Sequence, residues 1–319
     1  MRYLTELIFQ LYKFTDHYKL TTATYKNLEN IKLVKPTADS NTILQLESMF
    51  SDYSLRYVDK GLAEILSNLI SAEKKHIQDF DFKKIQSLTA SKSFGAGWYK
   101  VINGSWFKDV YSWGRGMYPA NNLKAEDMSD WHDNLWHIEH EGFYPRDPIN
   151  IKYYSWLDRY LASNSGGSHH AAMVVYQSIR DNLEYKREAV IEKLDINKDS
   201  IGRLENEYYS FIFHAKNPQK AGGFSFKHEF TDILKDVVSN QIQQLSPVHY
   251  HSDINFIFIQ KDELKMNNKT FLDWLSAGIT SGKIISFPEY LKNPSNFHNA
   301  CYSHELDSII LGDPCREYK

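Results

Sequence analysis

Apolar residues recur at helical spacing through much of the first 90 residues. Leu4, Leu7, Ile8, Leu11 and Phe14 share one face of an opening amphipathic helix. A polar stretch ends near Pro36, and the period resumes with Ile43, Leu46, Met49 and Phe50. It continues through Leu62, Ile65, Leu66, Leu69 and Ile70, with Gly61 as a break between two helices. The texture changes at Gly95. Two aromatic-rich runs, 98–102 and 105–111, flank Asn103-Gly104, a dipeptide suited to a two-residue hairpin turn. A loop from Gly114 to Pro119 follows. A helix is then expected from about Ala125 to His140, stopping at Gly142 in a left-handed cap.

Beyond Pro145 and Pro148, Ile149 to Tyr153 alternates as a strand, and Trp156 to Ala162 reads as a second one. The chain turns at Asn164-Ser165-Gly166-Gly167 and enters a helix carrying Ala171, Ala172, Val174, Val175, Ile179 and Leu183. In the last third, strands are expected over 209–214, 254–259 and 284–287. Helices are expected over 230–242 and from Thr270 through Leu275. The apolar run 254–259 suits a strand buried on both faces, and the alternation implies a parallel or mixed sheet. The fold class is α/β, with a mixed α+β arrangement also open. Three segments are distinguished: a helical N-terminal region (1–90), a central α/β segment (91–195) and C-terminal βαβαβ elements (196–319). One continuous fold is equally consistent with the pattern.

Composition narrows the function classes. With 42% hydrophobic and 24% charged residues the chain is globular in character rather than disordered. A formal net charge of −3 argues against broad, sequence-independent nucleic-acid binding, which needs a basic excess to release phosphate counterions. The two cysteines, Cys301 and Cys315, fit a reducing, cytoplasmic setting. No window approaches the roughly 18 apolar residues of a membrane span, and the N-terminus lacks the pattern of a secretory signal.

The best candidate site is Gly166-Gly167-Ser168-His169-His170. Glycines let a ligand approach the backbone, and a helix start offers N–H groups and the positive end of the helix dipole. Together they suit a phosphate or carboxylate. Ser168 adds a hydroxyl, and His169 and His170 add groups that donate to phosphate, move protons or ligate metal. A plainer reading stands beside this one: a tight turn, a serine cap and a buried histidine.

The pieces Glu141-Gly142-Phe143, Asp147-Pro148-Ile149-Asn150-Ile151, Arg159-Tyr160-Leu161-Ala162 and Gly167-Ser168-His169-His170-Ala171-Ala172 resemble, in order, the core of the ParB/sulfiredoxin-like superfamily. The chain is also similar there to uncharacterised bacterial proteins with a Gly-Gly-Ser-His-His turn. The likeness spans residues 141–177. It implies a phosphate-binding turn that holds a nucleotide, with phosphoryl transfer or phosphodiester cleavage as the chemistry. His169 would lead as general acid/base or phosphate donor, with His170 in support. Gly166, Gly167 and Ser168 would form the cradle, and Arg159, Asp158 or the 137–141 helix would complete the site. Mg²⁺ would accompany the nucleotide. Family members often carry Arg after the His, whereas this chain has His170 or Ala171. Imidazole cannot copy the bidentate guanidinium, which points away from CTP hydrolysis of the partition-protein kind.

Other constellations are weaker. His132, His137 and His140 lie on one expected helix with Asp133, Glu139 and Glu141. His137 with Glu141 or His140 has spacing for a shared metal, against a solvated face with Leu135 and Trp136 inward. His249 and His251 precede an expected strand, and Cys301 lies near His298 and His304. No nucleophile-elbow Gly-x-Ser-x-Gly occurs. The competing functional class is a non-enzymatic protein-interaction subunit of a bacterial assembly, its aromatics serving contacts.

Overall fold

The computed structural model describes residues 46–90, 109–116, 123–215, 242–245, 254–264 and 269–294, together with Leu28, Leu33–Val34, Leu234 and Val238. Along the chain these form β1 (Leu33–Val34), α1 (Asp52–Leu55), α2 (Lys60–Ser67), β2 (Ile70–Asp81), β3 (Ser87–Leu88), α3 (Val110–Gly116) and α4 (Met128–Glu141). There follow β4 (Ile149–Tyr154), β5 (Arg159–Ala162), α5 (Ser168–Asp181), β6 (Lys186–Ile196), α6 (Lys198–Glu207) and β7 (Tyr208–Ala215). The remainder is β8 (Gln243–Leu245), β9 (Ile254–Gln260), α7 (Lys269–Thr280), β10 (Ile284–Ser286) and α8 (Phe287–Lys292). The fold is mixed α/β, built on two sheets.

The chain divides into two compact units, each made of non-contiguous segments. One holds residues 1–36, 48–69 and 197–293, and the other holds 37–47, 70–196 and 294–319. The helical reading of residues 1–90 therefore crosses a unit boundary, and it fails at residue 70. Ile70–Asp81 is a strand paired antiparallel with β6, from Ile70 opposite Ile196 to Asp81 opposite Lys186. Its Ala, Glu, Lys and Gln favour helix locally, but pairing with a strand more than 100 residues away decides the outcome.

The second unit carries a mixed sheet in the order β2-β6-β4-β5-β3. Pairings alternate: antiparallel β2–β6, parallel β6–β4, antiparallel β4–β5 and parallel β5–β3. Helices α3, α4 and α5 contribute Trp113, Trp131, Ile138 and the run Ala171 to Val175 to one core with Ile149, Ile151 and Ala189 of the sheet. Val110 and Tyr111, read above as the end of a strand, lie in α3, as does Gly114, read as the start of a loop. Gly114 has a packing reason for being glycine. A Cβ there would lie 2.2 Å from the Ala172 carbonyl oxygen and 2.7 Å from Tyr176 Cβ, so α3 and α5 touch backbone to backbone.

In the first unit the sheet runs β1-β7-β9-β8, with β10 also on β7, and every pairing among the described residues is antiparallel. The parallel or mixed sheet expected for this region is thus corrected. Alternation of strand and helix counts elements, but it does not tell a crossover from a return. The burial expectation for 254–259 does hold: Phe256, Ile257, Phe258 and Ile259 are all buried. Ile257 and Ile259 join the core with Phe211, Phe213 and Phe271, while Phe256 and Phe258 meet Phe50 and Phe287. The opening helix, the Asn103-Gly104 hairpin, His249, His251, Cys301 and Cys315 lie outside the described residues, as does most of the expected 230–242 helix.

Candidate functional site

The turn after β5 leads into α5 at Ser168, and Gly167 occupies the left-handed region at φ +65° as the residue before the helix. A β-carbon is disfavoured in that conformation, so glycine is the natural occupant. Gly166 is required for a different reason. A Cβ on it would lie 2.6 Å from the Glu141 carbonyl oxygen, and a Cβ on Gly142 would lie 2.2 Å from the Gly166 oxygen. The end of α4 and the start of α5 therefore cross at two glycines in backbone contact. Gly142 does close α4, its N–H donating to Ile138 O, but at φ −160° rather than in the expected left-handed cap. Its job is close approach.

Asn164 organises the turn. Its Nδ2 donates to Gly166 O (2.9 Å) and Ser168 Oγ (2.8 Å), and its Oδ1 accepts from Ala90 N (3.0 Å). Ser168 Oγ in turn donates to Ala90 O. The Ser168 hydroxyl is thus committed to the loop after β3, and Gly166 to the end of α4. What the turn still offers is the first turn of α5, which no N-cap side chain covers. His169 sits there half-buried, its ring centroid 5.0 Å from that of Trp113.

The crossing has a second consequence. Asp127 caps α4 by accepting from Ser129 N and Asp130 N, and the helix then carries His137 and Glu141 one turn apart on the face toward α5. His170 comes to meet them. The His137 and His170 rings stack with centroids 4.0 Å apart and planes 9° from parallel. His137 Nδ1 is 2.7 Å from Glu141 Oε1, and its Nε2 is 4.0 Å from Asp133 Oδ2. Ligand atoms of His137, Glu141 and His170 all lie within 4.8 Å of one another.

The tautomer of His170 follows from the hydrogen bonds around it. Asn134 Nδ2 donates to Lys124 O at 2.7 Å, which turns its Oδ1 toward His170 Nδ1 at 2.8 Å. Amide oxygen only accepts, so His170 Nδ1 carries the proton and Nε2 keeps its lone pair. Among the described residues Nε2 has no hydrogen-bond partner. Burial pushes the His170 pKa down to about 4, with His137 adding to the depression and Glu141 and Asp133 opposing it. The ring is neutral at pH 7.

Residues 118–275 match the model of a family of unknown function (DUF6685). That stretch is just under half of the chain, and it contains α4, α5 and with them Asn134, His137, Glu141 and Gly166 to His170. No curated protein and no solved structure matches the chain. Among the described residues no helix is long and apolar enough to cross a membrane.

Arg159 and Asp158 are placed differently from the other candidates. Arg159 is buried, with Nη1 donating to Ser87 Oγ at 3.0 Å, so its guanidinium works within the sheet. Asp158 is left-handed at φ 47° and accepts from Tyr153 OH at 2.8 Å, just before β5. Trp136, expected to pack inward, is 55% exposed, and its ring stacks on that of His140 at 4.4 Å. The 137–141 helix does lie beside the turn, as one of the expectations had it, but the grouping of His137 and Glu141 with His170 as one donor set was not anticipated. The signal was there in part: the glycine pair next to His170 and the glycine next to Glu141 mark where two backbones can meet.

Proposed function

We propose that the α4–α5 junction binds a phosphate group, of a nucleotide or of another phosphate-bearing ligand, and promotes phosphoryl transfer or phosphodiester cleavage. The observation that carries this reading is the first turn of α5. It is a 14-residue helix whose N-cap is a glycine, so its leading N–H groups have no capping side chain. Such a terminus concentrates partial positive charge and points N–H donors outward. His169, on that same turn, is the group suited to pass a proton to the leaving oxygen or take one from attacking water. The order α4, β4, β5, turn, α5 also supports the resemblance to the ParB/sulfiredoxin-like superfamily.

Phosphate binding to the folded state raises stability by RT ln(1 + [L]/Kd), about 2.7 kcal/mol at a hundredfold excess over Kd. Thermal melts with ribonucleoside triphosphates and with pyrophosphate should therefore show an upward shift. Release of inorganic phosphate or of a cleaved ester reports the chemistry. His169→Ala should keep the unliganded melting temperature and lose most of the shift. His170 is not a suitable probe here, because its ring is part of the buried packing. An equal shift in His169→Ala would remove His169 from the site, and no shift with any of these ligands would overturn the reading in favour of the protein-interaction class.

A further inference from the structure

We propose that His137, Glu141 and His170 form a binding site for a divalent transition-metal ion. The site lies at the same junction but does not depend on a phosphate ligand. Two imidazoles and one carboxylate are a donor set that zinc and its neighbours accept, and three protein ligands leave coordination positions open for water or substrate.

Three independent features support it. The ligands come from two helices locked together by the Gly142–Gly166 contact, so the backbone fixes how far apart the two helices stand. His170 is held by a second layer, Lys124 O to Asn134 to His170 Nδ1, which fixes the tautomer that leaves Nε2 able to ligate. The electrostatics also suit a cation, since Glu141 is the last residue of α4 and sits at the negative end of that helix dipole, with Asp133 a turn away from His137.

Binding requires a defined rearrangement. Donors around a tetrahedral ion at roughly 2.1 Å lie about 3.4 Å apart, closer than the 4.8 Å span of this cluster. The stacked rings also hold their lone pairs in separate, nearly parallel planes, whereas an ion needs them to converge. His170 is pinned by Asn134, so the half-buried His137 is the ring that turns. In doing so it gives up its hydrogen bond with Glu141, freeing the carboxylate to ligate.

The test uses the full chain, freed of metal by chelator, and zinc alone. Calorimetric titration should give one equivalent of zinc, and cobalt(II) should give visible ligand-field absorption at the same stoichiometry. His137→Gln, Glu141→Gln and His170→Gln should each weaken zinc by tenfold or more. Asn134→Ala should weaken it about 10–100-fold, as removal of a second-layer partner does. His140→Gln, adjacent but outside the cluster, should leave affinity unchanged. Glu141 is exposed, so Glu141→Gln remains a fair probe if His170→Gln folds poorly. Absence of a one-equivalent site, or unchanged affinity in both His137→Gln and Glu141→Gln, would overturn the proposal. Zinc binding without any response to phosphate ligands would leave this site standing and remove the phosphate reading, and the reverse pattern would do the opposite.

Discussion

Two polar clusters in this protein use similar groups to opposite ends. In the first unit, Asp59 caps α2 by accepting from Leu62 N, and it also accepts from Tyr208 OH (2.9 Å) and Gln243 Nε2. Gln243 Oε1 completes a ring by accepting from Asp59 N at 2.7 Å. Burial and the bond to Asp59 raise the Tyr208 pKa, so the hydroxyl stays a donor. Donors and acceptors match, and the cluster is closed. At the α4–α5 junction the bonds run in a chain instead, from Lys124 O through Asn134 to His170, and the chain ends on a nitrogen lone pair. Closed networks rigidify a fold, whereas an open one keeps a site for a ligand. Burial alone would not have separated them.

The two clusters differ most at their glycines. Gly142→Ala would force a Cβ to within 2.2 Å of backbone at Gly166. It should cost about 3 kcal/mol in chemical denaturation and weaken zinc as well, although Gly142 carries no ligand. Gly61→Ala in the other cluster meets only side-chain atoms, Asp59 at 3.2 Å and Tyr208 at 3.4 Å. Crowding there offsets the gain in helix propensity, and the net change should stay within about 1 kcal/mol. If the two substitutions cost the same, backbone contact does not set the junction.

Next in size is Asp59→Ala, which removes a cap and strands the Tyr208 and Gln243 donors. A loss of about 2 kcal/mol is expected, with zinc affinity unchanged. A change in zinc affinity would mean that the closed cluster is not merely structural.

A smaller effect concerns acid. The His170 pKa is lowered in the folded protein to about 4 from an ordinary 6.5. Below pH 6.5 the unfolded chain therefore binds a proton that the folded one refuses. Stability of the metal-free protein should fall as pH drops from 6.5 toward 4, and this contribution should level off below that. Against His170→Gln, the wild type should lose on the order of 1–2 kcal/mol more over the window. Parallel stability curves would show that His170 is not held neutral.

Much of the junction was legible in the sequence. Gly-Gly-Ser before a periodic apolar run placed the start of α5, and Gly142 placed the end of α4, because turn and cap chemistry is local. The partners of those glycines were not legible, since Gly142 and Gly166 explain each other only once the two helices cross. The same holds for His170, whose meaning depends on Asn134, 36 residues earlier. β2 was misread because its residues favour helix until β6 pairs with them, and the bond from Arg159 to Ser87 spans 72 residues of sequence. Local chemistry reads well; long-range pairing does not.

The junction ends on an available nitrogen, His170 Nε2, and nitrogen-15 NMR of the histidine side chains can observe it. In metal-free protein at pH 7, two-bond proton–nitrogen correlations should give His170 Nδ1 a protonated, pyrrole-like shift and Nε2 an unprotonated, pyridine-like one. Asn134→Ala should blur that distinction by letting the tautomers exchange. A His170 ring protonated on Nε2, or on both nitrogens, would contradict the account.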